Sequence, residues 1–303
     1  MKIGSRGSRL ALWQAEWVKR RLEVQGRRCE IVVIKTRGDA EVDRPLHQLE
    51  GKGFFTKEIE EALLDGRIDV AVHSMKDLPT ALPDGIALAA VPERHDPREA
   101  LVARAGGVAT LADLPSGARV GTSSLRRVTQ IRYLRSDLDV RPLRGNVPTR
   151  VDKVRQGRGL DAAVLALAGV ERLELAGHVA TRLDPLEVMP APGQGALGLE
   201  VRADDGAARA ALQPLRHPPS ERAVTAERML LQALGGGCQA PVAAYVGSGE
   251  AGLESRLFGR VTALDGSVQL TASAEIDERD PAAAGVAVAH LLEAQGARKL
   301  LGR

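Results

Sequence analysis

Apolar positions in the first two thirds of the chain alternate between short continuous runs and helical spacings. Residues 2–4 read as a short strand. Residues 8–23 (SRLALWQAEWVKRRLE) read as a helix with Leu10, Leu12, Trp13, Trp17 and Leu22 mostly on its inner face. Buried strands are predicted over 30–35 (EIVVIK), 68–72 (IDVAV) and 86–91, with a helix over 56–64 capped by Thr56. A long polar loop bounded by Gly38 and Gly53 interrupts this unit. The alternation then repeats: strands at 119–120, 140–143 and 162–167 with helices over 125–134 and 147–155, then a strand at 197–201 and a helix over 206–215. The last part changes character. A helix over 220–234 is followed by strands at 242–246, 257–263 and 268–276, the last two joined by the turn Asp265-Gly266, and by a helix over 281–293. The pattern predicts two α/β units followed by a small α+β domain.

The two α/β units share a local design. Gly4-Ser5-Arg6-Gly7-Ser8-Arg9 and Gly121-Thr122-Ser123-Ser124-Leu125-Arg126-Arg127 each run from strand through a small hydroxyl-bearing turn into a helix. Hydroxyls and free backbone N–H groups at a helix N-terminus attract anions, and parallel sheets bind ligands at their strands' carboxyl ends. N-capping by Ser8 and by Ser123 or Ser124 accounts for the hydroxyls but not for the flanking arginines. Further cations fall at strand ends and loops: Lys52 and Lys57, Lys76, Arg144 and Arg150. Together they predict a ligand with several carboxylates or phosphates.

Composition narrows the choice of ligand. With 42 basic residues the net charge is +3, yet only seven residues are aromatic, too few for the stacking platforms of a single-strand nucleic-acid binder. Arginines number 34 against 8 lysines, so arginine is the default cation and only its placement carries information. No apolar run reaches membrane-spanning length and the start lacks an apolar signal region, so a soluble, cytoplasmic protein is expected. Two cysteines make no disulfide framework, and the six histidines never fall at metal-ligand spacing, so no metal site is expected. Gly193-Gln194-Gly195-Ala196-Leu197-Gly198 matches a dinucleotide fingerprint literally but leads into a strand, which is the wrong context.

Two features point to chemistry as well as binding. Gly235-Gly236-Gly237-Cys238 ends the predicted 220–234 helix with more glycine than a helix stop requires, leaving room for a large group on the Cys238 sulfur. A small buried cysteine is the plainer reading of the same stretch. Asp77 follows the strand IDVAV through HSMK, which puts a carboxylate among the cations where a developing positive charge can be stabilised, although taken alone it reads more plainly as a surface-loop Asp starting the turn at Leu78-Pro79.

These residues resemble the porphobilinogen deaminase (hydroxymethylbilane synthase) family. The stretches are GSRGSRLALWQ (4–14), TRGD (36–39), GKGFFTKE (51–58), VAVHSMKDLP (70–79), ERHDPREA (93–100), VGTSSLRR (120–127), LRGNVPTR (143–150), PAPGQGALG (190–198) and GGGCQAP (235–241), in the family's order. Beyond Pro241 the match is one of general pattern. The resemblance implies two periplasmic-binding-protein-like α/β domains around a cleft plus the small α+β domain, divided as 1–94 with 195–216, 98–190 and 218–303. It implies a dipyrromethane cofactor on Cys238 through a thioether, held by Lys76, Ser124, Arg126, Arg127 and Arg144. Porphobilinogen and the growing linear pyrrole chain would be bound by Arg6, Ser8, Lys52, Arg150 and Gln194, with Asp77 as the catalytic carboxylate stabilising an azafulvenium cation. Four porphobilinogen units would be joined head to tail with loss of ammonia, in tetrapyrrole and haem biosynthesis, by a monomer that engages neither nucleic acid nor membrane. Read without the resemblance, the residues also admit a non-catalytic anion-binding protein of the periplasmic type.

Overall fold

The computed structural model describes residues 1–40, 56–104, 106, 108–236, 240–247 and 255–302. Lys52, Cys238 and the polar loop that the sequence places before Gly53 therefore lie, wholly or for the greater part, outside the described residues.

The first lobe follows the predicted alternation: β1 (Lys2–Ser5), α1 (Arg9–Val24), β2 (Glu30–Val33), α2 (Arg37–Ala40), α3 (Lys57–Leu64), β3 (Val70–Ser74) and β4 (Ile86–Ala90). Its sheet order is β2-β1-β3-β10-β4, where β10 (Leu197–Arg202) arrives from far along the chain and runs antiparallel to β3 and β4. One face packs Ile3, Val70, Val72 and Leu199 against Ala15, Val18 and Leu22 of α1. The other packs Ala71 against Ile59 and Leu63 of α3. Residues 70–73 are all buried, as a strand covered on both faces requires. β3 begins two residues later than the apolar run suggests; just before it, the Asp69 backbone N–H donates to the Lys2 carbonyl and its carboxylate accepts from the Lys2 N–H at 2.7 Å. Thr56 stands at the head of α3 but makes no capping bond there.

The second lobe holds β5 (Glu99–Ala103), β6 (Arg119–Gly121), α4 (Leu125–Leu134), β7 (Asp139–Arg141), α5 (Val147–Arg155), β8 (Ala162–Ala166), α6 (Leu167–Arg172) and β9 (Thr181–Arg182). Its sheet order is β7-β6-β8-β5-β9, with β6 parallel to β7 and β8, and β5 antiparallel to β8. This is the first lobe's arrangement repeated strand for strand. In each sheet the antiparallel strand, β10 or β5, directly follows a segment that crosses from the other lobe. The apolar pattern does not announce β5, because its first residue, Glu99, reads as surface and is fully buried.

After α7 (Gly206–Leu212), the third domain packs α8 (Pro218–Ala233) and α9 (Pro281–Ala294) on one antiparallel sheet, β11 (Val242–Gly247), β12 (Arg256–Thr262) and β13 (Gln269–Glu275), and ends in α10 (Ala297–Leu300). α8 stops as the glycines predict. Gly235 takes φ +64°, its N–H donates to the Gln232 carbonyl at 2.8 Å, and that of Gly236 donates to Leu231 at 2.9 Å. The chain is thus turned sharply just before Cys238.

Candidate active site

The two turns singled out in the sequence open onto adjoining crevices that share Leu10, Gln14 and Ser74. Both turns follow a strand-end glycine. At Gly4 an added Cβ would meet the end of the Ile68 side chain, and at Gly121 the ends of Leu143 and Leu160, so core side chains occupy the space over each glycine. Ser8 caps α1, accepting from the Ala11 N–H at 3.2 Å. Ser124 stands at the head of α4 but its hydroxyl makes no capping bond, while Ser123 donates to the Leu143 carbonyl at 2.8 Å.

Asp77 closes a single 3₁₀ turn, Met75–Asp77, at the carboxyl end of β3 and lines the first crevice with Arg6, Ser8, Gln14, His73 and Ser74. The third domain holds this turn from behind. Arg228 of α8 donates to the carbonyls of Leu78 at 3.2 Å and Pro79 at 2.6 Å. Lys76, Arg127, Arg150 and Arg172 line the second crevice.

The second crevice is built on Glu99. Arg127 donates to it in two-point fashion, Nε to Oε1 at 2.9 Å and Nη2 to Oε2 at 2.8 Å, and Arg126 Nη2 reaches Oε1 at 2.5 Å. All three side chains are buried. Burial alone would raise the Glu99 carboxyl; Arg127 and Arg126 overcome it and hold the group at about 2. Burial lowers Arg126 to about 10, with Glu99 opposing. Burial, then the charges of Arg127 and Arg144, lower Arg150 to about 10. Burial takes Lys76 down to about 8, Asp77 pulling it back up and Arg127 pushing it further down. Each cation is thus crowded by its neighbours, and Arg144 Nη2 is buried without a hydrogen-bond partner. A ligand rich in carboxylates fits this donor set, because it supplies the acceptors and the negative charge that the crevice lacks.

The site therefore brings together Arg6, Ser8 and Asp77 in one crevice, and Lys76, Arg127 and Arg150 in the next. Gln194 has a different place from the one its sequence position suggests. It is 1% exposed, and its amide is spent on protein: Nε2 donates to the Pro97 carbonyl at 2.8 Å, while Oε1 accepts from Lys76 at 3.4 Å and Arg127 at 3.5 Å. It ties the two lobes beneath the crevices. Asn146 caps α5, accepting from the Thr149 N–H at 3.0 Å.

Glu99, Arg172, Gln14 and Arg228 at this site stand outside the residues that the sequence pattern marks. Glu99 lies in ERHDPREA, and its place as an acid between two arginine-rich segments is the one signal that could mark it. Arg172 donates to the Gly195 carbonyl at 2.7 Å and lies 5.5 Å from the Trp13 ring centre, contacts between lobes that leave no local pattern. Among the described residues no helix is long and apolar enough to cross a membrane, and no group of three or more His, Cys, Asp or Glu could hold a metal ion.

Residues 1–210 match the family described as "Porphobilinogen deaminase, dipyromethane cofactor binding domain", and residues 222–294 match "Porphobilinogen deaminase, C-terminal domain". A porphobilinogen deaminase from Moorella thermoacetica is 49% identical over 304 residues, covering 99% of this chain and 95% of that one. One from Chromobacterium violaceum is 49% identical over 301 residues, covering 99% and 96%. One from Geobacter metallireducens is 48% identical over 306 residues, covering 99% and 93%. Among solved structures, a periplasmic substrate-binding protein from Coxiella burnetii is similar to 74% of this chain and 95% of that one, at 13% identity and a TM-score of 0.43, too loose a likeness to add to the strand order above.

Proposed function

The chain belongs to the porphobilinogen deaminase family, and on that footing we propose how its residues carry the reaction. The enzyme is a transferase that condenses four porphobilinogen molecules head to tail into hydroxymethylbilane, with release of ammonia, in tetrapyrrole synthesis. Its dipyrromethane cofactor, when bound, supplies the pyrrole terminus from which the product is extended.

Cys238 carries the cofactor. Cys29 is the only other sulfhydryl, and burial pushes its thiol up, away from the reactive thiolate. Arg126, Arg127, Arg144, Lys76 and the uncommitted hydroxyl of Ser124 hold the cofactor's acid side chains. Arg6, Ser8, Arg150 and Lys52 bind those of the incoming substrate. Gln194 acts at one remove, by holding Lys76 and Arg127 in register across the lobes. Every pyrrole brings two carboxylates, and like charges ~4 Å apart cost about 4 kcal/mol at an effective dielectric near 20, so a cation lining is a condition of growth.

Asp77 stabilises the azafulvenium cation formed when ammonia leaves porphobilinogen. A carboxylate fixed by a 3₁₀ turn, itself clamped by Arg228, does this without reorganising. The observation that carries the reading is the charge order across adjoining crevices: a fixed carboxylate in one, a crowded cation set in the next. The protein works as a cytoplasmic monomer, independent of nucleic acid and membrane.

Mass spectrometry under denaturing conditions tests the attachment. A dipyrrole-sized increment mapping to the peptide that contains Cys238 is expected, and Cys238→Ser is expected to lack it and any turnover. An increment on Cys29, or none, overturns the assignment, and an unmodified, inactive chain that still binds polycarboxylates would favour a plain binding protein.

A further inference from the structure

Beneath the Asp77 crevice lies a titratable cluster to which the proposed mechanism gives no work. His73 on β3 is 5% exposed and lines the crevice. Its Nε2 lies 3.2 Å from Oε2 of Glu200 on β10, fully buried. Gly198 stands opposite His73 in the register, so Glu200, two residues on, occupies the same face of the sheet. From α3, Glu60 faces the same pair, and burial above all holds its carboxyl above the ordinary range. Thr56, also lining the crevice, completes the group. By strict geometry Thr56 Oγ1, Glu60 Oε1, His73 Nε2 and both Glu200 oxygens make no well-formed hydrogen bond, although Thr56 stands against Glu60 and His73 against Glu200. Buried polar atoms are nearly always well paired, so a buried cluster whose members meet only in this loose geometry asks for a reason.

The reaction supplies one. Each condensation must remove a proton from the ring carbon of the attacking pyrrole. Among the described side chains lining the two crevices, the titratable ones are arginines, Lys76, Asp77 and His73. Arginines stay protonated, Lys76 serves as a cation, and Asp77 is engaged with the azafulvenium. His73 remains, and a carboxylate stands behind it, as a base requires.

We propose that His73 is the base that takes this proton and that Glu200 is its positioning partner, an inference that rests on the Asp77 crevice being the reaction site. The C–N bond of the ammonium-form substrate breaks with its electron pair going to nitrogen, leaving ammonia and the cation. The C–C bond then forms. The C–H bond at the attacked ring carbon breaks, its electron pair returns to the pyrrole, and the proton goes to the imidazole. The imidazolium passes it to the released ammonia, which departs as ammonium, and His73 is restored. Glu200 fixes the tautomer: Nε2 carries hydrogen towards its carboxylate, so Nδ1 is the accepting nitrogen. Once His73 is charged at Nδ1, Glu200 has the counter-charge it otherwise lacks.

The test uses cofactor-loaded enzyme and porphobilinogen deuterated at its free α-carbon. In the native enzyme the isotope effect on turnover is expected near unity, because transfer to a placed base is fast. His73→Gln is expected to lose about 10²- to 10³-fold in kcat and to show a clear primary isotope effect, since C–H cleavage becomes limiting. Glu200→Gln should shift both readouts in the same direction by less, with KM unchanged. Should His73→Gln fail to fold or load, the near-isosteric Glu200→Gln carries the isotope measurement alone. Native turnover in these variants, or slowing without an isotope effect, overturns the assignment and leaves a structural cluster. Asp77→Asn is run in parallel: if it turns over normally, the crevice is not the reaction site, a failure distinct from that of the histidine.

Discussion

The two lobes have one strand order and opposite electrostatics. In the second lobe a buried acid, Glu99, is answered by two arginines within 2.5–2.9 Å, and the surplus positive charge faces the cleft. In the first lobe a buried acid, Glu200, sits on the corresponding antiparallel strand and, among the described residues, meets His73 and a second acid, Glu60. The turns differ in the same sense: Ser8 is committed to its own helix, whereas Ser124 is not. A shared topology therefore decides where ligands sit, at strand ends between the lobes. On the proposed reading, the buried acid on the antiparallel strand, β5 or β10, helps decide whether that place holds anions or handles a proton.

Removing the anchor of the second lobe should break this contrast most severely. Glu99→Gln leaves two buried guanidiniums without counter-charge, and a loss of about 3–5 kcal/mol in unfolding free energy is expected, with failure to retain the cofactor. Denaturant titration and intact mass measure both. A variant as stable as the native chain would mean that Arg126 and Arg127 are balanced from elsewhere. Next in size is the first lobe's carboxylate. Asp77→Asn should fold and load normally yet lose roughly 10²–10³ in turnover, about 3–4 kcal/mol of transition-state stabilisation, and Asp77→Glu should retain more. Thermal melting beside a tetrapyrrole-release assay separates the two effects.

Smaller changes sharpen the comparison. Arg150→Leu should still load cofactor but weaken substrate binding by about 10- to 100-fold, the worth of one charge-assisted hydrogen bond, and native mass spectrometry with limiting substrate should show part-built chains accumulating. Acid titration reads the anchor without mutation. Folded Glu99 titrates at about 2 against an ordinary 4.5, so its contribution is complete above pH 4.5 and is lost as pH falls towards 2. Glu99→Gln should flatten that part of the stability curve. The mildest effect is expected at Lys76, charged below about 8 and neutral above it. Assembly of the cofactor from porphobilinogen should slow as pH passes that value, and this dependence should be absent in Lys76→Met.

Much of this architecture was legible because local patterns are local causes. Helices such as Leu125–Leu134 and Val147–Arg155 coincide with their apolar periodicity, and the glycine stop before Cys238 follows from backbone sterics. The cations at strand ends were legible for the same reason. What escaped was set by partners distant in sequence. Glu99 reads as surface until two arginines from another segment bury it, and Gln194 reads as a ligand-facing amide until Pro97, Lys76 and Arg127 absorb it. Arg228's hold on the Asp77 turn joins residues 150 apart, with nothing in either stretch to announce it.

The exchange of antiparallel strands between lobes also bears on the order in which the molecule can be assembled during synthesis. All five strands of the second lobe lie in one run, from Glu99 to Arg182. In the first lobe, β4 pairs among the described strands with β10 alone, and β10 is made after the whole of the second lobe. On the ribosome the N-terminal lobe must wait with β3 and β4 as open edges, which are templates for aberrant pairing. The lobe encoded second is therefore the first that can be complete, and the lobe that carries Asp77 closes only when the chain has returned to it.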